Sequence, residues 1–294
     1  AFFSQQLVRP IIRLKEIALR MAAGEYAQST QIRRRDELGR LADSMDILSQ
    51  KLVEAEDFRN HLEQSRRDFF SNVSHELRTP ITVVKGYAET LVDGYVEDEE
   101  KQKDYFDRII KECAGMERLV SDLLILSKME NPDFQLDYEL LNVIAVMQDA
   151  MRSMRVLMGE KRIAGELEYE DECSLIHGDY DRIRQLFLIL LQNAVKYADE
   201  DTKILVNIRK KEQKILVSVE DTGIAVPKEE WDNIFEKFYR GSDHGNKDGS
   251  GLGLMVAKQI TQRHSGKIWV SSDEKSTTCF YVELPEAEED IDNL

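Results

Sequence analysis

The chain has 294 residues, a formal net charge of −16, 42% hydrophobic and 8% aromatic residues. At roughly 100–200 residues per domain this allows two or three domains, and the apolar content excludes a wholly disordered chain. The excess of acids speaks against a nucleic-acid binder, which needs a basic face. The cysteines (Cys113, Cys173, Cys279) and histidines (His61, His75, His177, His244, His264) are scattered, and offer neither a disulfide framework nor zinc-ligand spacing.

The first 130 residues predict helices of heptad character. Leu7, Ile11, Leu14, Ala18 and Met21 form one apolar stripe. After a polar connector from Gly24 to Asp36, Leu38, Leu41, Met45, Leu48 and Leu52 form a second. Such narrow seams need a partner helix, which favours a parallel dimer of helix pairs, with an antiparallel bundle within one chain as the alternative. No run of about 18 apolar residues occurs, so nothing in the sequence spans a bilayer. The opening Ala1-Phe2-Phe3 reads as a start just past something longer.

A long helix is predicted from about Ser65 to Asp93, with Phe69, Val73, Leu77, Ile81, Val84, Ala88 and Leu91 in its seam. Gly94 and an acidic run interrupt it before a second helix carrying Phe106, Ile109, Cys113, Met116, Val120 and Leu123. A hairpin with one apolar stripe per arm predicts a dimeric four-helix bundle.

Asn131-Pro132 marks a linker. Beyond it, strands are expected at Gln135–Leu140, Arg162–Tyr169, Lys203–Arg209, Lys214–Glu220, Lys267–Ser272 and Thr277–Leu284, and helices at Val143–Met158, Tyr180–Tyr197 and Leu252–His264. This is an α/β layered domain, followed by an acidic tail. The boundaries read from these changes are 1–58, 59–130, 131–285 and 286–294.

Within the first hairpin helix lies Ser74-His75-Glu76-Leu77-Arg78-Thr79-Pro80. With Val73 and Leu77 inward, His75 faces solvent and Thr79, one turn on, shares its face. Pro80 cannot donate its amide, so a kink is expected there. An exposed imidazole beside a carboxylate suits a nucleophile whose proton the neighbour accepts; a solvated surface histidine is the plainer alternative. The segment resembles the H box of sensor histidine kinases. That resemblance implies that His75 is phosphorylated, that Glu76 is its acid/base, and that Thr79 positions water in the reverse, phosphatase reaction.

Gly249-Ser250-Gly251-Leu252-Gly253-Leu254 opens a helix after a Gly/Asp/Lys-rich stretch. Alternate glycines and a helix N-terminus suit a phosphate chain. Neither a P-loop nor a dinucleotide fingerprint fits. Asn193 and Lys196, in Asn193-Ala194-Val195-Lys196-Tyr197, share a helix face that suits Mg²⁺ and phosphate, or simply end the helix. Asp221-Thr222-Gly223 can accept from an adenine amino group, with Gly223 leaving room for the ring, or is simply a strand-ending turn. In their order, with Phe235 and Phe238, these segments resemble the N, G1, F and G2 boxes of the histidine-kinase ATPase domain, the Bergerat fold shared with gyrase.

The family implies an ATP lid over about Pro227–Asp248 and adenine at Asp221. It implies Mg²⁺ at Asn193, phosphates at Lys196, Gly249, Gly251, Leu252 and Gly253, and neighbouring contacts from Tyr197, Phe238 and Arg240. Three departures stand out: Ile189 where a second asparagine is usual, Ala225 where a glycine is usual, and Thr277-Thr278-Cys279-Phe280 near the end. Residues 4–58, with Pro10, Gly24-Glu25 and Asp36-Glu37-Leu38-Gly39, resemble the HAMP linker of membrane receptors; a plain coiled-coil stalk is the alternative.

The combined resemblance implies a homodimeric, membrane-anchored sensor histidine kinase. Its anchor would be a transmembrane segment outside this sequence, with the present residues in the cytoplasm. It would use ATP and Mg²⁺, and its partner would be a response-regulator receiver domain. A weak-kinase or phosphatase-biased scaffold is the alternative motivated by Ile189 and Ala225.

Overall fold

The computed structural model describes residues 7–96, 98–131, 133–170, 174–239, 241, 250–273 and 277–287. Of the residues singled out above, Arg240, Gly249, most of the acidic tail and part of the expected lid lie outside these. The chain divides into two compact units, Ala1–His75 and Glu76–Leu294.

In the first unit, α1 (Arg9–Ala22) starts with Pro10 in its first turn, where a missing amide costs nothing. It buries Leu14, Ile17 and Met21. The following helix, α2 (Glu37–Val92), buries Gly39, Ala42 and Ser49 here. The connector is pinned by polar contacts: buried Thr30 donates its amide and hydroxyl to the two oxygens of Asp46 (2.7 and 2.9 Å). Ser49 Oγ meets the carbonyls of Tyr26 and Gln28 at 2.5 and 2.7 Å. A Cβ at Gly39 would sit 2.2 Å from the Arg34 carbonyl, so only glycine allows this approach.

Of the expected stripes, Leu14 and Met21 are buried, while Leu7, Ile11, Ala18, Leu41 and Leu48 are exposed in the single chain. A single chain therefore leaves an apolar stripe unburied on both helices. A correction concerns α2 itself, which is one helix of 56 residues rather than two. The segment 53–68 is polar almost all round but holds neither Gly nor Pro, so nothing in it ends a helix.

In the second unit, α3 (Glu99–Glu130) begins at Asp98, whose carboxylate accepts from the Glu100 amide at 3.0 Å. Phe106, Cys113 and Val120 of its predicted seam are exposed in the single chain, whereas Leu119, Asp122, Ile125, Leu126 and Met129 are buried. Those residues share the core of the α/β domain that follows.

That domain comprises β1 (Glu139–Asn142), α4 (Val143–Glu160), β2 (Ala164–Tyr169), β3 (Leu175–Gly178), α5 (Tyr180–Tyr197), β4 (Lys203–Lys211), β5 (Lys214–Thr222), α6 (Gly253–Arg263), β6 (Lys267–Ser272) and β7 (Thr277–Pro285). A five-stranded sheet runs β2-β4-β5-β7-β6, with β2 and β4 parallel and the other pairs antiparallel. β1 and β3 form a separate antiparallel ribbon. Inward residues such as Val206, Val217 and Val282 alternate with outward ones, and they meet buried Leu186, Leu190, Val256 and Ile260 of the helices. The layout is a two-layer sandwich. The strand expected at Gln135–Leu140 lies instead at Glu139–Asn142, because its partner is β3, a four-residue strand too short to announce itself by pattern.

Candidate functional site

His75 is exposed on α2, as is Thr79 one turn later, while Val73, Glu76 and Leu77 are partly buried. The helix continues through Pro80, whose missing amide leaves the local hydrogen-bond ladder one donor short. Leu77 packs against the core of its unit. An exposed imidazole can meet a partner without disturbing that packing.

The sandwich supplies the second element. Asp221, near the end of β5, is 2% exposed, and its Oδ1 has no hydrogen-bond partner. Burial pushes its carboxyl up to about 7, with the charge of Glu220 adding to the effect. A buried carboxylate without a donor is costly, and an exocyclic amine of a base would supply the missing one. Two residues on, Gly223 bridges Ala198, and a Cβ there would lie 2.0 Å from the Tyr197 carbonyl. This corrects the expectation that Gly223 leaves room for a ring: the absent side chain admits the end of α5.

α5 is capped at its start by Asp179, whose side chain accepts from the Arg182 amide. At its end the Lys161 ammonium donates to the carbonyls of Val195, Lys196 and Ala198 at 2.8, 3.0 and 3.3 Å. The sequence reading missed this residue, which lies more than 30 positions away. Asn193 and Lys196 sit partly buried on the last turn. Lys196 Nζ hydrogen-bonds the Tyr197 hydroxyl at 3.0 Å and lies over its ring. Among the described residues no cluster of three or more His, Cys, Asp or Glu could hold a metal. The donor set fits only an ion that takes one amide oxygen and fills its shell with water and phosphate, as Mg²⁺ does.

The glycine loop leads into α6. Gly251 has φ +68°, and a Cβ on it would meet the Phe238 backbone at 2.9 Å. The Phe238 amide donates to the Gly251 carbonyl at 3.1 Å, and Phe238 itself has φ +62°. Lid and loop are thus joined backbone to backbone. Phe235 is buried edge-on to Phe280. Gly253 faces Ile189, whose methyl would touch a Cβ there at 3.5 Å, so the departure from asparagine places an apolar side chain toward the start of α6. Leu252 is fully buried, which leaves its amide rather than its side chain to face a ligand.

Two further residues were given no role by the sequence reading. Thr278, opposite Asp221 in the β5–β7 register, donates to the Ile224 carbonyl at 3.3 Å and bonds Ser272 at 2.9 Å. Asp122 on α3 is 9% exposed and lies near the Ser250 side chain. Burial pushes that carboxyl up to about 6, against the opposing pull of Arg118 and Ser250.

An exposed histidine on a helical hairpin, joined to a two-layer sandwich with a glycine loop and a buried lone carboxylate, defines the class of ATPase-linked phospho-acceptor proteins. The comparisons agree. Residues 2–54 match the HAMP domain, 65–132 the His Kinase A (phospho-acceptor) domain, and 178–288 the histidine kinase-, DNA gyrase B- and HSP90-like ATPase. The chain is 30% identical over 284 residues to the sensor histidine kinase YclK of Bacillus subtilis, covering 95% of this chain and 59% of that protein. It is 33% identical to WalK of the same organism over 79% of this chain and 38% of that one. This chain therefore spans roughly two fifths to three fifths of the length of these relatives.

Among solved structures, the Acinetobacter baumannii histidine kinase AdeS superposes with a TM-score of 0.61 at 27% identity, covering 73% of this chain and 98% of that one. The histidine kinase ThkA, in complex with the response regulator protein TrrA, superposes with a TM-score of 0.66 at 25% identity, covering 80% and 66%. In this order the three matched domains, with the likeness to YclK over 95% of the chain, make the chain similar to the sensor histidine kinases.

Proposed function

We propose that the chain takes the γ-phosphoryl group of ATP onto His75 and passes it to an aspartate of a response regulator. The observation that carries this reading is the exposed His75 within the phospho-acceptor match. In it, the neutral ring nitrogen of His75 attacks phosphorus and the bond to the β-phosphate oxygen breaks. Glu76 accepts or orients the imidazole proton. The transfer is governed by alignment and charge neutralisation rather than covalent assistance. Asp221 accepts from the adenine amine, Lys196 and the loop amides of Gly251, Leu252 and Gly253 meet the phosphates, and the Asn193 amide oxygen holds Mg²⁺. When bound, the ion neutralises phosphate charge. Thr79 positions water for the reverse reaction on the phosphorylated partner.

The divisions 1–58, 59–130 and 131–285 then act as input linker, phosphotransfer hairpin and ATPase. The stripe left unburied on α1 and α2 supports a homodimer. ThkA's complex with a response regulator supports that class of partner, and the HAMP match supports placement at a membrane. The relatives are named as kinases, which favours transfer over a phosphatase-biased scaffold.

Incubation with ATP labelled in the γ-phosphate is expected to give an acid-labile phosphoprotein, and His75→Gln is expected to abolish it. Equal labelling of the variant would overturn the assignment.

A further inference from the structure

The start of the chain carries charge opposite in sign to the rest. Residues 1–40 hold eight Lys and Arg against four Asp and Glu, although the whole chain stands at −16. The fold gathers most of these bases at one end of the first unit. Arg34 stands at the mouth of α2: its guanidinium pairs with Asp36, the Asp36 carboxylate accepts from the Gly39 amide at 3.2 Å, and Gly39 lies against the Arg34 carbonyl. On α1, Arg13 Nη2 donates to Gln31 Oε1 at 3.1 Å, so the connector passes the second turn of α1 on its way to that mouth. Arg33, Arg34 and Arg35 therefore come level with the start of α1 and Arg9, while Arg40 lies in the first turn of α2. Arg9, Arg33, Arg35 and Arg40 are all exposed. Apolar side chains sit among them. Val8, just ahead of α1 with helical backbone, and Ile12 are 47% and 49% exposed. At about 100° per residue they point away from buried Leu14 and Met21, and they lie outside the stripe through Leu7 and Ile11 that the dimer would use.

We infer that this end of the first unit lies on an anionic bilayer surface, with Arg9, Arg33, Arg35 and Arg40 on the lipid phosphates and Val8 and Ile12 in the interface. The inference rests on placement of the input linker at a membrane and is independent of the phosphotransfer chemistry. Bases within a screening length of an anionic leaflet, about 10 Å at 0.1 M salt, are drawn to it. The remaining residues are net negative and repelled by the same surface, which favours contact through this end alone. A nucleic acid would meet the arginines but gives Val8 and Ile12 no apolar medium, whereas a bilayer interface takes both.

The test is sedimentation of the full chain with vesicles of phosphatidylcholine alone or mixed with phosphatidylglycerol. The chain is expected to bind the anionic vesicles only, and to leave them at about 1 M salt, where the screening length falls to about 3 Å. Arg33→Gln with Arg35→Gln is expected to weaken binding about thirtyfold, and Val8→Ser with Ile12→Ser about tenfold. Equal binding by wild type and either double variant would overturn the lipid contact. So would a chain that still labels on His75 yet ignores anionic vesicles, and the kinase reading would then stand. Equal affinity for a DNA duplex and for the anionic vesicles would overturn it as well, by showing a site for polyanions at large. Fractionation of the cells that make the protein reads the membrane placement separately, and recovery in the soluble fraction would overturn placement and contact together.

Discussion

Asp221 and Thr278 face one another across β5 and β7, yet the threonine hydroxyl is turned to the Ile224 carbonyl and to Ser272, while Asp221 Oδ1 has no partner. The two side chains divide the work. Thr278 fixes the loop that follows Gly223, and Asp221 keeps an acceptor for a guest.

The raised carboxyl of Asp221 gives nucleotide binding a pH dependence. Without nucleotide the group is protonated below about 7, whereas an adenine amine needs the ionised acceptor, so binding expels a proton at low pH. Affinity is expected to rise roughly tenfold from pH 6 to pH 8. The linkage to folding has the opposite sense. A folded value above the ordinary 3.8 means that this group favours the fold most below that value, and the contribution is lost as pH rises through about 7. Calorimetric titration of ADP across this range, with Asp221→Asn showing weak and pH-flat binding, checks the first claim.

Gly223→Ala is expected to unfold the junction between β5 and α5, because the added methyl would stand 2.0 Å from the Tyr197 carbonyl. Backbone cannot yield there as a flexible side chain would. The cost is about 3 kcal/mol or more, a fall in Tm of roughly 6–12 °C for a domain of this size. Thermal denaturation followed by circular dichroism reads it.

Lys161→Met keeps the aliphatic stem and removes three donors from the end of α5. A loss of about 1–3 kcal/mol is expected, together with weaker ADP binding, since Asn193 and Lys196 occupy that last turn. Urea denaturation and titration in parallel separate the two effects. Unchanged affinity at reduced stability would show that the turn keeps its shape without the ammonium.

Ile189→Asn exchanges a partly buried apolar side chain that packs against the core and faces Gly253 for a polar donor-acceptor beside Asn193. Stability is expected to fall by about 1 kcal/mol, while Mg²⁺ tightens ATP more in the variant than in wild type. Binding measured with and without Mg²⁺ decides this.

The parts that could be read from sequence are those whose cause is local. α5 runs from Tyr180 to Tyr197 as expected, because Asp179 caps it and Leu186, Leu190 and Leu191 repeat at helical spacing. The turn at Glu212-Gln213 follows from two β-rich runs, and Glu212 accepts the positive φ that it demands. His75 and the glycine loop stood out because their chemistry needs particular residues side by side. What escaped is what distant partners decide. Asp122 looks like any helical surface acid until α6 covers it, and Lys161 gains meaning only from a helix end more than 30 residues later. β3 is strand only because β1 lies beside it.

The bridge between Ala198 and Gly223 has a consequence for how such a domain can change shape. Because the two backbones touch with no side chain between them, the end of β5 that carries Asp221 and the end of α5 that carries Asn193 and Lys196 are held at one fixed spacing.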